Sequence, residues 1–143
     1  MQQQLQTMSP KARFTLRLNS IPENISQVEP FLQELKSKYN LPDDLYFNML
    51  LVLTEAVNNS ILHGNQADPC KRVVVKAQPN KASLSFTISD EGCGFNPNAL
   101  PDPTSPACIC NPNGRGVFLM RQLSDHLQYS NNGRRVVIRF NIN

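Results

Sequence analysis

Phe14, Leu16 and Leu18 alternate with Thr15, Arg17 and Asn19, the period of a strand with one buried face, and they predict a first strand over residues 12–19. The period then lengthens. Val28, Phe31, Leu32 and Leu35 recur at helical intervals, Ser26 and Glu29 stand at capping-box spacing, and Pro30 falls in the first turn, where its missing N–H is no loss. A helix is expected to run to about Tyr39. After the break at Asn40-Leu41-Pro42-Asp43, the stripe Leu45, Met49, Val52, Leu53, Ala56 and Val57 predicts a longer helix, with Gly64 as its C-cap.

Beyond a polar link, Val73-Val74-Val75 and the alternating Leu84, Phe86 and Ile88 predict two strands paired as a hairpin around Pro79-Asn80. Residues 96–113 hold Pro97, Pro101, Pro103, Pro106 and Pro112 without periodicity, a length that suits a functional lid better than a routine connection. A third helix is expected from Val117 to about His126, after Gly114-Arg115-Gly116. Gln128–Ser130 and a terminal strand through Val136, Ile138, Phe140 and Ile142 then flank an Asn-Gly turn at Asn132-Gly133. The pattern is α+β, in one domain over 1–143, with 1–11 as a flexible tail.

Composition narrows the function classes. A chain of 143 residues that is 40% hydrophobic and 17% charged is long enough to bury a core. The net charge of +3 is mild, and the basic residues are scattered apart from Lys71-Arg72 and Arg134-Arg135, so no direct nucleic-acid partner is expected. The polar start MQQQLQTMSPKAR has no apolar run behind it. The most apolar stretch, FNMLLVLTEAV, is short and carries Glu55, so neither secretion nor membrane spanning is expected. Cys70, Cys93, Cys108 and Cys110 form no paired C-x-x-C pattern, and His63 and His126 are not grouped with them; a reducing, cytoplasmic setting fits best.

Three polar clusters interrupt the scaffold. Glu55 and Asn59 are four residues apart and project within about 40° of one another on the long helix. A solvated stripe explains the pair as well as a proton-accepting carboxylate beside an amide that ligates a hard cation. His63, one turn on, extends the stripe or answers the helix dipole. In Asp90-Glu91-Gly92-Cys93-Gly94, the glycines alone describe a turn, but Asp90 shares the parity of Leu84, Phe86 and Ile88. A carboxylate aimed at the buried face calls for a bound donor such as an amino group. Asn113-Gly114-Arg115-Gly116 opens a helix, whose first N–H groups suit an anion.

Taken in order, E-x-x-x-N on a helix (Glu55, Asn59), D-x-G-x-G after a strand (Asp90, Gly92, Gly94) and G-x-G after a lid (Gly114, Gly116) resemble the boxes of the histidine-kinase-like (GHKL) ATPases. The compact length and the wording T-E-A-V-x-N-S-x-x-H-G are similar to the bacterial anti-sigma-factor serine/threonine kinases. The resemblance covers the chain from about Arg13 onward. It implies a Bergerat-type two-layer sandwich, with a mixed, mostly antiparallel sheet and helices on one face. It further implies an ATP and Mg²⁺ site: Asp90 accepting the adenine amino group, Gly92 and Gly94 packed on the nucleoside, Asn59 ligating Mg²⁺, Gly114, Arg115, Gly116 and Val117 binding phosphate through N–H groups, and Glu55 as catalytic base. By the same resemblance the chain phosphorylates an anti-anti-sigma factor (STAS-type), sequesters a sigma factor and forms a homodimer. Two departures stand out: Arg134 follows Gly133 where many relatives have threonine, and the lid carries Cys108-Ile109-Cys110. The alternatives are a non-catalytic nucleotide switch and a detached sensor-kinase catalytic domain.

Overall fold

The computed structural model describes residues 14–92 and 113–142. Strand β1 (Phe14–Asn19) is followed by a 3₁₀ segment (Pro22–Gln27), helix α1 (Val28–Tyr39) and helix α2 (Asp43–Asn59), which continues into a π-helical turn (Ser60–Gly64). Strands β2 (Arg72–Pro79) and β3 (Ser83–Ser89), helix α3 (Asn113–Leu123), and strands β4 (His126–Ser130) and β5 (Arg135–Asn141) complete the order. The predicted tail (1–11), nearly all of the predicted lid, Gly94, and Cys93, Cys108 and Cys110 lie outside the described residues.

The five strands form one sheet in the order β1-β2-β3-β5-β4, and every pairing is antiparallel. Register carries the alternation read from the sequence straight across it. Leu16, Val75, Ile88, Val136 and Tyr129 line up in one row, and Phe14, Ala77, Phe86, Ile138 and Leu127 in the next. These rows face the helices. Met49, Val52, Leu53, Ala56 and Val57 of α2 are buried against them, with Leu32 and Leu35 of α1 and Met120 of α3. Phe86 and Phe140 meet edge to face at the centre, 6.1 Å between centroids. Each such side chain contributes about 1.5–3 kcal/mol through burial, so the sheet and α2 form a stiff base for the polar groups at their shared end. Residues 43–64 are long and apolar enough to cross a membrane by length and composition, but here the apolar face of α2 is covered by the sheet.

Local chemistry explains the boundaries, with three departures from expectation. Ser26 does not cap α1: its Oγ donates to the Glu23 carbonyl, closing the preceding 3₁₀ segment, and the N-cap position falls to Gln27 without a side-chain bond. Asn40, in the left-handed region at φ 53°, stops α1. Asp43 and Asp44 then sit in the first turn of α2, where the helix dipole favours them. Gly64 is not a left-handed C-cap, because Gly133 is the one glycine with positive φ among the described residues. Helix α3 begins at Asn113, four residues before the predicted start, and ends at Leu123, which releases His126 into β4. The β4–β5 turn uses left-handed φ at Asn131, Asn132 and Gly133, residue types that tolerate it.

Candidate functional site

A cleft opens where the C-terminal end of α2 meets the ends of β3, β4 and β5. Ala56, Ile88 and Val136 give it apolar walls, while Asn59, Ser60, His63, Asp90, Tyr129 and Arg134 supply polar groups. Its mix of apolar wall with a few convergent polar groups is that of a small-molecule site. Asp90 reaches the cleft as its parity predicted.

Two hydrogen bonds hold the backbone on either side of the Asp90 side chain: its own N–H donates to the Arg134 carbonyl (2.9 Å), and the Glu91 N–H donates to Asn65 Oδ1 (2.8 Å). Asp90 Oδ1 accepts the Gly92 N–H (2.9 Å). Burial pushes the carboxyl above its ordinary value of 3.8, opposed by the Gly92 N–H, the Ser60 hydroxyl, and the positive charges of Arg134 and Lys71. The carboxylate is thus only partly compensated by the protein, which suits it to accept a donor from a ligand.

Close backbone approach needs glycine at two places. A methyl group at Gly64 would stand 2.5 Å from Asp90 Oδ2, and one at Gly92 would collide with the Gly64 carbonyl oxygen. The turn after α2 and the turn after β3 therefore lie directly on one another. The third glycine-bearing box closes the far side: a methyl at Gly116 would collide with Glu55 Oε2 and stand 3.0 Å from Asn59 Nδ2. Glu55, Asn59 and Gly116, distant in sequence, are brought together at the first turn of α3. Asn59 lines the cleft, whereas Glu55 stands beside it, packed on Gly116. Gly114, Arg115, Gly116 and Val117 all lie in the first turns of α3, whose leading N–H groups have no intrahelical partner.

Burial holds the Tyr129 hydroxyl far above its ordinary value; Arg121 opposes this and the Glu55 carboxylate adds to it. The Arg134 guanidinium lines the cleft and donates from Nη1 to the Gly92 carbonyl at 3.4 Å.

Sequence reasoning missed Asn65, Ser60 and Tyr129. Asn65 is 1% exposed, and its Nδ2 donates to Ser20 Oγ (2.8 Å) and to the Arg72 carbonyl (3.1 Å). The available signal was an asparagine directly after His63-Gly64, which reads equally as a loop residue. Ser60 and Tyr129 sit among periodic neighbours that give no sign of a cleft.

Comparison with known proteins agrees with this geometry. Anti-sigma F factor of Clostridium perfringens (strain SM101) is 27% identical over 131 residues, covering 87% of this chain and 84% of that protein. Anti-sigma F factor of Bacillus cytotoxicus is 28% identical over 113 residues, covering 76% and 68%. The histidine kinase domain of the blue-light activated histidine kinase from Erythrobacter litoralis EL346 shares the fold with a TM-score of 0.51 at 15% identity, over 82% of this chain and 59% of that one. The model of the histidine kinase-like ATPase domain family matches residues 18–140, which include all three polar clusters. The chain belongs to the histidine kinase-like ATPase domain family.

Proposed function

We propose that the cleft binds ATP with Mg²⁺, and that the chain is a serine/threonine protein kinase and anti-sigma factor that phosphorylates an anti-anti-sigma protein and holds a sigma factor. The observation that carries the reading is the meeting of Asp90, at the base of an apolar-walled cleft, with Glu55 and Asn59 packed on the first turn of α3. The donor set fits the ligand. A flat base finds Ala56, Ile88 and Val136 as walls and Asp90 as acceptor for its amino group, with Gly92 close to the nucleoside. The leading N–H groups of α3, Gly114 and Arg115 among them, suit phosphate oxygens. Among the described residues no cluster of three His, Cys, Asp or Glu side chains stands ready for a metal, so Mg²⁺ would rest on the Asn59 amide oxygen and on the phosphates whose charge it neutralises.

In the transfer, Glu55 takes the proton of the substrate hydroxyl as that oxygen bonds to the γ-phosphorus. The bond from phosphorus to the bridging oxygen breaks, and ADP leaves with the electron pair. The relatives' name, anti-sigma F factor, supports the sigma-factor partner. A homodimer in the cytoplasm, without a membrane or nucleic-acid partner, completes the reading.

One observation favours a second reading, a nucleotide switch without transfer: Glu55 is packed on Gly116 and is not part of the cleft wall. Glu55→Gln separates the two. With a purified sigma factor and anti-anti-sigma partner, the kinase reading expects ATP binding and sigma-factor capture to persist while phosphorylation falls by about 10²–10⁴-fold. Phosphorylation at the wild-type rate removes Glu55 as base. No transfer by the wild type to its verified partner leaves the switch.

A further inference from the structure

The side chain of Asn65 uses both of its N–H donors and its carbonyl oxygen on groups from three different strand ends. Nδ2 donates to Ser20 Oγ, just past β1, and to the Arg72 carbonyl, at the start of β2. Oδ1 accepts the N–H of Glu91, two residues past β3. Its backbone N–H donates to the Ser60 carbonyl (2.8 Å), which ties the same residue to the end of α2. Ser20 is itself fixed, both N–H and Oγ donating to the Lys71 carbonyl at 3.0 and 2.8 Å. Every anchor of Asn65 thus belongs to the sheet or to the end of α2.

The bond to Glu91 matters most for the cleft. The peptide that carries this N–H also carries the Asp90 carbonyl, so holding it fixes ψ of Asp90 and with it the direction in which Cβ leaves the backbone; the Gly92 N–H on Oδ1 then sets the carboxylate on that base. The Arg134 carbonyl holds the peptide on the other side. Glu91 returns the clamp, accepting the Arg72 N–H on Oε1 at 2.7 Å. Without Asn65, Asp90 would keep its bond to the Arg134 carbonyl and lose the one that sets the angle of its Cβ into the cleft.

We propose that Asn65 is a positioning residue for base recognition: through the Glu91 N–H it aims the Asp90 carboxylate at the exocyclic amino group of adenine. This rests on the nucleotide reading above and adds to it the residue that sets base discrimination. A buried asparagine bonded to three strand ends also serves folding, so the test needs a quantity that folding alone does not move.

That quantity is the ratio of affinities for ATP and inosine triphosphate, which has a carbonyl oxygen where adenine has its amino group. A well-aimed carboxylate should favour ATP by about ten- to a hundred-fold, since it both bonds the amino group and repels the oxygen. Calorimetry with Asn65→Ala is expected to bring the ratio to within about threefold of unity, chiefly through lost ATP affinity, with inosine triphosphate affinity little changed. A ratio kept at the wild-type value while both affinities fall together makes Asn65 a folding residue and overturns the proposal. A wild type that does not discriminate overturns the adenine assignment of Asp90, and the proposal with it. If Asn65→Ala does not fold, Ser20→Ala decides: it removes one anchor of the carboxamide and leaves the cleft untouched. A partial fall in the ratio supports the proposal, and an unchanged ratio overturns it.

Discussion

Gly92→Ala and Gly64→Ala probe the same contact from opposite sides, and the structure assigns them different outcomes. Neither position has left-handed φ, so alanine brings no backbone penalty and gains about 0.4–1 kcal/mol by restricting the unfolded chain. At Gly92 the added methyl meets only backbone: the Gly64 carbonyl oxygen and carbon, and the Gly64 Cα at 3.0 Å. Neither side can rotate away. Overpacking of this kind costs about 1–3 kcal/mol. Relief would part the two turns and strain the Glu91 N–H bond to Asn65, worth about 1 kcal/mol more. The net expectation is a loss of about 2–3 kcal/mol, or about 6–10 °C in Tm for a chain of this size. At Gly64 all three nearest atoms belong to the Asp90 carboxylate, at 2.5, 2.7 and 3.0 Å. That side chain can turn, so stability should stay within about 1 kcal/mol of wild type while nucleotide affinity falls. Urea denaturation and calorimetry on both variants check the pair. Gly92→Ala as stable as wild type, or Gly64→Ala binding nucleotide normally, would refute the argument from close approach.

Two further outcomes follow from single groups. Because burial raises Asp90 above 3.8, the folded chain holds this proton more tightly than the unfolded one. Its contribution to stability therefore grows as pH falls from above the raised value towards 3.8, while nucleotide binding that needs the carboxylate weakens through the same window. ADP titrations across pH should show that dependence in wild type and not in Asp90→Asn, and identical profiles would contradict it. The Tyr46 hydroxyl is buried with no hydrogen-bond partner among the described residues, so Tyr46→Phe should be neutral or stabilising by up to about 1 kcal/mol in urea unfolding, and a loss of that size would show that the hydroxyl is bonded.

The fold was legible wherever one face of an element is buried. Alternation at Leu84, Phe86 and Ile88 predicted both the β3 strand and the inward direction of Asp90, because a period of two leaves no freedom once one face is covered. The Glu55–Asn59 pairing was legible for the same reason with a period of 3.6. What stayed hidden depends on contacts between elements. Gly64 reads as a helix stop by composition, yet its lack of a side chain serves the Asp90 carboxylate, which lies 26 residues away in sequence. Gly114 and Gly116 are weak helix formers, which argued for a start at Val117. Packing of Gly116 on Glu55 and Asn59 takes them into the helix and overrides propensity. Ser26 has the spacing of a cap and a nearer carbonyl to bond.

The end of α2 shows why periodicity fails at this site in particular. A continued α-helix would pair the Gly64 N–H with the Ser60 carbonyl; the observed bond to that carbonyl comes from Asn65, one residue later, in a π-helical turn. The wider turn houses an extra residue. That residue shifts the phase by which the following side chains leave the helix axis, so a 3.6-residue pattern extrapolated from Leu45 to Val57 no longer says where they point. Gly64 thereby lies against Asp90 and Gly92, and the Asn65 carboxamide turns towards three strand ends. Single π turns recur at functional sites. Here the reason is geometric: regular helix up to Asn59 fixes Glu55 and Asn59 relative to the core, and the irregular turn beyond it sets the distance from helix to sheet at which Asp90 can stay half-buried and still open to a ligand.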